Sequence, residues 1–99
     1  MSNREQMLSE FILEAMANDY ESFACILDQV TKWAGEKQLH VTRDDIAVNL
    51  GNLIRSGYAK AYILSASPPH SQVAEFSHEH IDDLWYHPTP AGKKLVEAL

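Results

Sequence analysis

Three histidines and four carboxylates crowd one stretch of the chain: His70, His78 and His80 with Glu75, Glu79, Asp82 and Asp83. Imidazole and carboxylate are ordinary metal ligands, and in a strand His78 and His80 would project to one face as a ligand pair can. No Cys-x-x-Cys or His-Glu-x-x-His spacing accompanies them. The stretch therefore reads as a solvated polar loop, and no metal is expected. The single cysteine, Cys25, excludes an internal disulfide and fits a reducing compartment, so a cytoplasmic setting is expected. A reactive thiol needs basic neighbours, and Cys25 has Glu21 and Asp28 one turn away on either side, with Lys32 further on. No nucleophile elbow, phosphate-cradling glycine loop or dinucleotide fingerprint appears. The chain is read as a non-enzyme without a cofactor.

A second group of residues suits nucleic acid. Asn49 and Asn52 stand three apart, and asparagine can make two hydrogen bonds to adenine in a major groove. Arg43, Arg55 and Lys60 flank them and could hold phosphates.

The elements that must position these residues are legible in the spacing. Leu8, Phe11, Ile12, Ala15 and Met16 form one face of a helix over Arg4 to Ala17. Asn18 and Asp19 end it, and Asp19 is suited to cap the next helix. That helix runs from Tyr20 to Gly35, with Tyr20, Phe23, Leu27, Val30 and Ala34 inward and Gly35 as its stop. A third helix spans 42–56. Thr42 caps it, Asp44 and Asp45 suit the positive end of its dipole, Ile46, Leu50, Leu53 and Ile54 point inward, and Gly57 closes it. Tyr58 to Ser65 alternates as a strand, and Leu84 to His87 is a second one. Gln72 to Phe76 could extend the ribbon between them. Thr89-Pro90 starts a last helix carrying Leu95, Val96 and Leu99 on one side. The expected core is Leu8, Phe11, Ile12, Phe23, Leu27, Val30, Ile46, Leu50, Leu53, Ile54 and Leu95.

The resulting fold class is mainly α with a small β-hairpin, in the order α-α-α-β-β-α, over one domain of residues 1–99. Two local patterns give it a resemblance. Leu50-x-x-Leu53-Ile54-x-x-Gly57-Tyr58 ends a helix at glycine and enters a strand. Trp85-Tyr86-His87-Pro88-Thr89-Pro90-Ala91-Gly92 resembles the strand, Thr-Pro-x-Gly, helix exit of bacterial winged-helix regulators of the MarR, PadR and ArsR kinds. That resemblance covers Tyr20 to Leu99. It implies that 42–56 is a recognition helix and that 58–88 forms a wing, with the connection from Ala66 to Asp83 at its tip. It implies a small DNA-binding transcriptional regulator whose contacts to double-stranded DNA come from Thr42, Arg43, Val48, Asn49, Asn52, Arg55 and Lys60.

Charge argues the other way. The net charge is −6, which opposes non-specific attraction to nucleic acid. The third helix carries two bases and two acids. Asp44, Asp45, Val48, Gly51, Asn52 and Arg55 lie on its outward face, and the wing tip from Ala66 to Asp83 holds four acids and no Lys or Arg. The alternative is a winged-helix protein-interaction module that binds no DNA. A continuous positive strip across the third helix and the wing would favour DNA, and its absence a protein partner. Leu13 falls opposite the inner stripe of the first helix and Met7 broadens its apolar arc. A homodimer contact through Met7, Leu13 and Leu99 is therefore expected. The longest apolar runs are a few residues, so no membrane span is expected. Met1 to Glu5 lacks the apolar centre of a signal peptide.

Overall fold

The computed structural model describes residues 3–17 and 20–97. Asn18, Asp19 and Leu99 lie outside the described residues. The elements are α1 (Asn3–Ala15), β1 (Glu21–Ser22), α2 (Phe23–Glu36), α3 (Arg43–Arg55), β2 (Ala59–Leu64), β3 (Ser71–Ala74), a 3-10 segment (His78–Asp83), β4 (Trp85–Pro88) and α4 (Pro90–Glu97). The chain is mainly helical, with a small antiparallel sheet of strand order β1-β4-β2-β3. The expected two-stranded hairpin is thus part of a four-stranded sheet.

Two of these strands change the sequence reading. Tyr20 to Ser22 was expected to be helical, but Glu21 and Ser22 are extended and pair with Tyr86 and Trp85. Ser22 becomes the cap of α2, its hydroxyl accepting from the Cys25 amide at 3.3 Å. Tyr20 consequently leaves the helical stripe and packs edge-on against Tyr62, with ring centroids 5.0 Å apart. On the other side of the sheet, β3 pairs residue for residue with Ala61 to Leu64. The extension expected near Gln72 is therefore a strand in its own right.

Helix ends follow local chemistry. Thr42 and Asp45 form a reciprocal capping box at α3: the Asp45 amide donates to Thr42 Oγ1 at 3.1 Å, and the Thr42 amide to Asp45 Oδ2 at 2.9 Å. At the other end Gly57 adopts φ +85°, and the Tyr58 amide reaches back to the Leu53 carbonyl at 2.9 Å. This is the left-handed closure that glycine permits. α2 closes the same way but not at Gly35, which lies inside the helix. Gln38 takes the left-handed position at φ 57°, and the Leu39 amide bonds the Ala34 carbonyl at 2.8 Å.

α1 packs against α2, α3 and α4 together, so it is apolar on more than one side. This corrects the reading of Leu13, which is fully buried and belongs to the core with Leu8, Ile12 and Met16. Its Cδ2 lies beside Gly92 of α4. Within the first helix a side chain opposite the main stripe has no visible partner, because nothing there shows that the last helix returns to cover it. Of the remaining expected core, Leu8, Ile12, Phe23, Val30, Ile46, Leu50 and Leu53 are buried, while Phe11, Leu27, Ile54 and Leu95 are partly buried against them.

The connection between β2 and β4 departs most from expectation. It is not a projecting tip. The chain turns at Ser65 to His70, where the Ser65 amide bonds the His70 carbonyl at 2.9 Å, runs back as β3, and then docks the 3-10 segment on the helices. Ile81 and Leu84 enter the core, and the buried Tyr86 hydroxyl donates to the Ile81 carbonyl at 2.8 Å. Burial pushes that hydroxyl's pKa well above the ordinary tyrosine value. Phe76 lies over Gly51 of α3, within 3.1 Å of where a Cβ would stand. That close approach accounts for the glycine in a helix interior, where it would otherwise weaken the helix.

Candidate interaction surface

The third helix presents its exposed face through Asp44, Val48, Asn52 and Arg55. Val48 is 52% exposed. At the N-terminal end Thr42 is exposed but holds the capping box. Asp45 is not free on the outward face: besides capping Thr42 it accepts from Arg4 at 3.0 Å. The Thr42 backbone amide, joined by the Arg4 guanidinium and opposed by partial desolvation, holds its carboxyl below the ordinary value.

Arg43 is also engaged. Its guanidinium meets Asp82 of the 3-10 segment at 2.9 Å and lies over the Phe23 ring, 5.0 Å from its centroid. Asn49 turns inward toward α1. Its Oδ1 accepts from the Ser9 hydroxyl at 3.1 Å and its amide donates to the Asp45 carbonyl at 2.8 Å. Asn49 is thus engaged within the domain, while Asn52 beside it is exposed; both border one shallow cleft with Ser9, Tyr58 and Leu95. Arg55 and Lys60 are exposed, and neither makes an ion pair among the described residues. Seven residues grouped by sequence are thus divided: Arg43 and Asn49 are bound within the domain, Thr42 caps its helix, and Val48, Asn52, Arg55 and Lys60 face solvent.

Acid occupies the ground between α3 and the hairpin. Glu79, Asp82 and Asp83 are exposed on the docked segment, and Asp82 sits directly on Arg43. The positive strip that would run from the N-terminal end of α3 to the hairpin is interrupted there. The histidines are dispersed by the same folding. His78 packs edge-on against Phe76, with centroids 5.1 Å apart, His80 approaches Asp83 at 3.6 Å, and His70 stays at the hairpin turn. The face that His78 and His80 would share in a strand does not form, because they lie in a 3-10 turn. Among the described residues no group of three His, Cys, Asp or Glu side chains is arranged to hold a metal. Cys25 is exposed.

Two apolar grooves are open among the described residues. Met7 is 40% exposed and borders a shallow groove with Phe11 and Trp33, whose rings stack at 4.7 Å. Of the residues expected to build a dimer contact, only Met7 is both described and accessible. The second surface was not anticipated. A groove of about 470 Å³ lies between the β2–β3 hairpin and the 3-10 segment, lined by Ile63, Ala74, Glu75, His80, Asp83 and Leu84. Alternation alone put Ile63 in line with Ala59 and Ala61, which are buried. Only the length of the hairpin relative to the helices leaves it uncovered. No helix among the described residues is long and apolar enough to cross a membrane.

A scan against protein-family models finds no match for this chain, and searches of curated proteins and of solved structures find none either.

Proposed function

We propose that this chain is a winged-helix domain that works as a protein-binding module and not as a reader of DNA. The winged-helix reading rests on the order of helices and strands, on the β2–β3 hairpin after α3, and on the Thr-Pro-x-Gly entry into α4. The protein-binding reading rests on one observation above all. Arg43, the cation best placed at the leading end of α3, is neutralised by Asp82 at 2.9 Å within a segment that adds Glu79 and Asp83 to the same region. A phosphate backbone approaching there meets carboxylates, and binding that depends on releasing counterions has little to draw on. The test is titration of random duplex DNA at about 50 and about 200 mM salt. The expected result is no saturable binding at either. Binding that weakens steeply between the two overturns the reading.

A DNA-binding regulator is the second reading. It is favoured by Asn52, Arg55 and Lys60, which are exposed, the two cations making no ion pair among the described residues. On that reading the C-terminal half of α3 approaches the duplex. Asn52→Ala then costs on the order of 1–3 kcal/mol on a preferred site and nothing on a scrambled one.

A further inference from the structure

The β2–β3 hairpin reaches past the helical layer beneath it. Ile63 shares a side of β2 with buried Ala59 and Ala61, yet it is 53% exposed. Beside it Ala74 and Leu84 complete an apolar floor, and Glu75, His80 and Asp83 stand at the rim. The groove's volume of about 470 Å³ falls within the usual range for binding pockets, about 300–1,000 Å³. β3 is an edge of the sheet, so an extended segment can approach it alongside.

The charge around this floor has one sign. From residue 61 to residue 92 the sequence has no Lys or Arg, but it has Glu75, Glu79, Asp82 and Asp83. Asp82 is spent on Arg43. Glu75 makes no ion pair among the described residues, and Asp83 has only His80, 3.6 Å away. A wholly apolar partner would strip water from these carboxylates without offering a counter-charge. An anionic partner would be repelled. An aliphatic side chain next to a lysine or arginine satisfies both the floor and the rim.

We infer that this groove docks a short basic and apolar segment of a partner protein. Its aliphatic side chain seats on Ile63 and Leu84, and its cation meets Glu75 and Asp83. The inference rests on the protein-binding reading above and adds to it a place and a partner chemistry.

A random linear peptide library displayed on phage, selected against the whole chain, tests it. Synthetic copies of the enriched peptides are then measured by fluorescence polarisation. The enriched peptides should pair Lys or Arg with Leu, Ile, Met or Val. Their affinity should fall at least about tenfold, as for loss of an interface anchor, in Ile63→Ser and in the Glu75→Gln, Asp83→Asn double variant. Ile63, Glu75 and Asp83 are exposed, and thermal melts of each variant check that the fold survives. Val48→Ser, on α3, should leave affinity unchanged. Peptides that lose binding in Val48→Ser and keep it in Ile63→Ser overturn the groove but leave the protein-binding reading standing. Enrichment of acidic peptides, or of none, also overturns the groove. Salt-dependent duplex binding in the separate titration overturns the protein-binding reading, and this inference falls with it.

Discussion

Gly92 lies directly beneath the carbonyl oxygen of Tyr58, so close that a Cβ on Gly92 would collide with it. Thr89 holds the two segments at that distance. Its hydroxyl donates to the Gly57 carbonyl at 2.6 Å, and its oxygen accepts from the Gly92 amide at 3.2 Å. One threonine thus caps α4 and ties it to the turn that closes α3. Gly92→Ala should destabilise the fold by about 1–3 kcal/mol, the usual cost of overpacking, with backbone in the way and no flexible side chain to yield. Urea unfolding measures it. A variant within a few tenths of a kcal/mol of the wild type would contradict the packing described.

Leu13 fills the contact between α1 and α4. Leu13→Ala should cost about 2–5 kcal/mol, as for other buried leucines. Leu13→Glu should yield unfolded protein instead of a folded monomer. Circular dichroism with sedimentation distinguishes the two, and a folded Leu13→Glu chain with the wild-type melting point would return Leu13 to the surface.

The pH dependence of stability should include Asp45. Its carboxyl is held below the ordinary value, first by the Thr42 amide. A depressed folded value means that the stabilisation is fully present above the unfolded aspartate pKa of about 4 and is lost as pH falls through the lower folded value. The stability gap between wild type and Asp45→Asn should therefore be constant near neutrality and shrink in acid below about pH 4. Unfolding at a series of pH values reads this directly. A gap that persists unchanged in acid would assign the effect to shape alone.

Gln38 occupies the left-handed turn that ends α2. A residue with a Cβ loses about 1–2 kcal/mol there, and glycine gives back part of that through its freer unfolded chain. Gln38→Gly should therefore raise stability by up to about 1 kcal/mol. Gly35→Ala, inside α2 with no heavy atom near an added Cβ, should also stabilise, by roughly 0.5–1 kcal/mol. Thermal melts of both variants check the assignment of the helix end. Destabilisation by Gly35→Ala would move it back to Gly35.

Much of the local structure could be read from the residues themselves, because each signal acts over a turn or two. Thr42 with Asp45, Gly57 before Tyr58, and Thr89-Pro90 each satisfy backbone groups within four residues, so α3 begins and ends, and α4 begins, within about a residue of where those residues place them. The inward positions of Ile46, Leu50 and Leu53 follow from a period that any long enough helix obeys. Polarity and charge were equally plain: the acids of 75–83 are a matter of composition.

What those residues touch was decided by tertiary structure, because the partners are far apart in the chain and no local period encodes them. Leu13 has no neighbour within its own helix that explains it; α4 covers it from the far end of the sequence. Arg43 finds Asp82 across 39 positions, and Asn49 finds Ser9 across 40. Two residues that chemistry alone would offer to DNA are thereby bound within the domain. Ile63 shows the reverse case. Its place in the alternation fits a core, but burial requires another layer opposite, and the hairpin extends beyond the helices that would provide one.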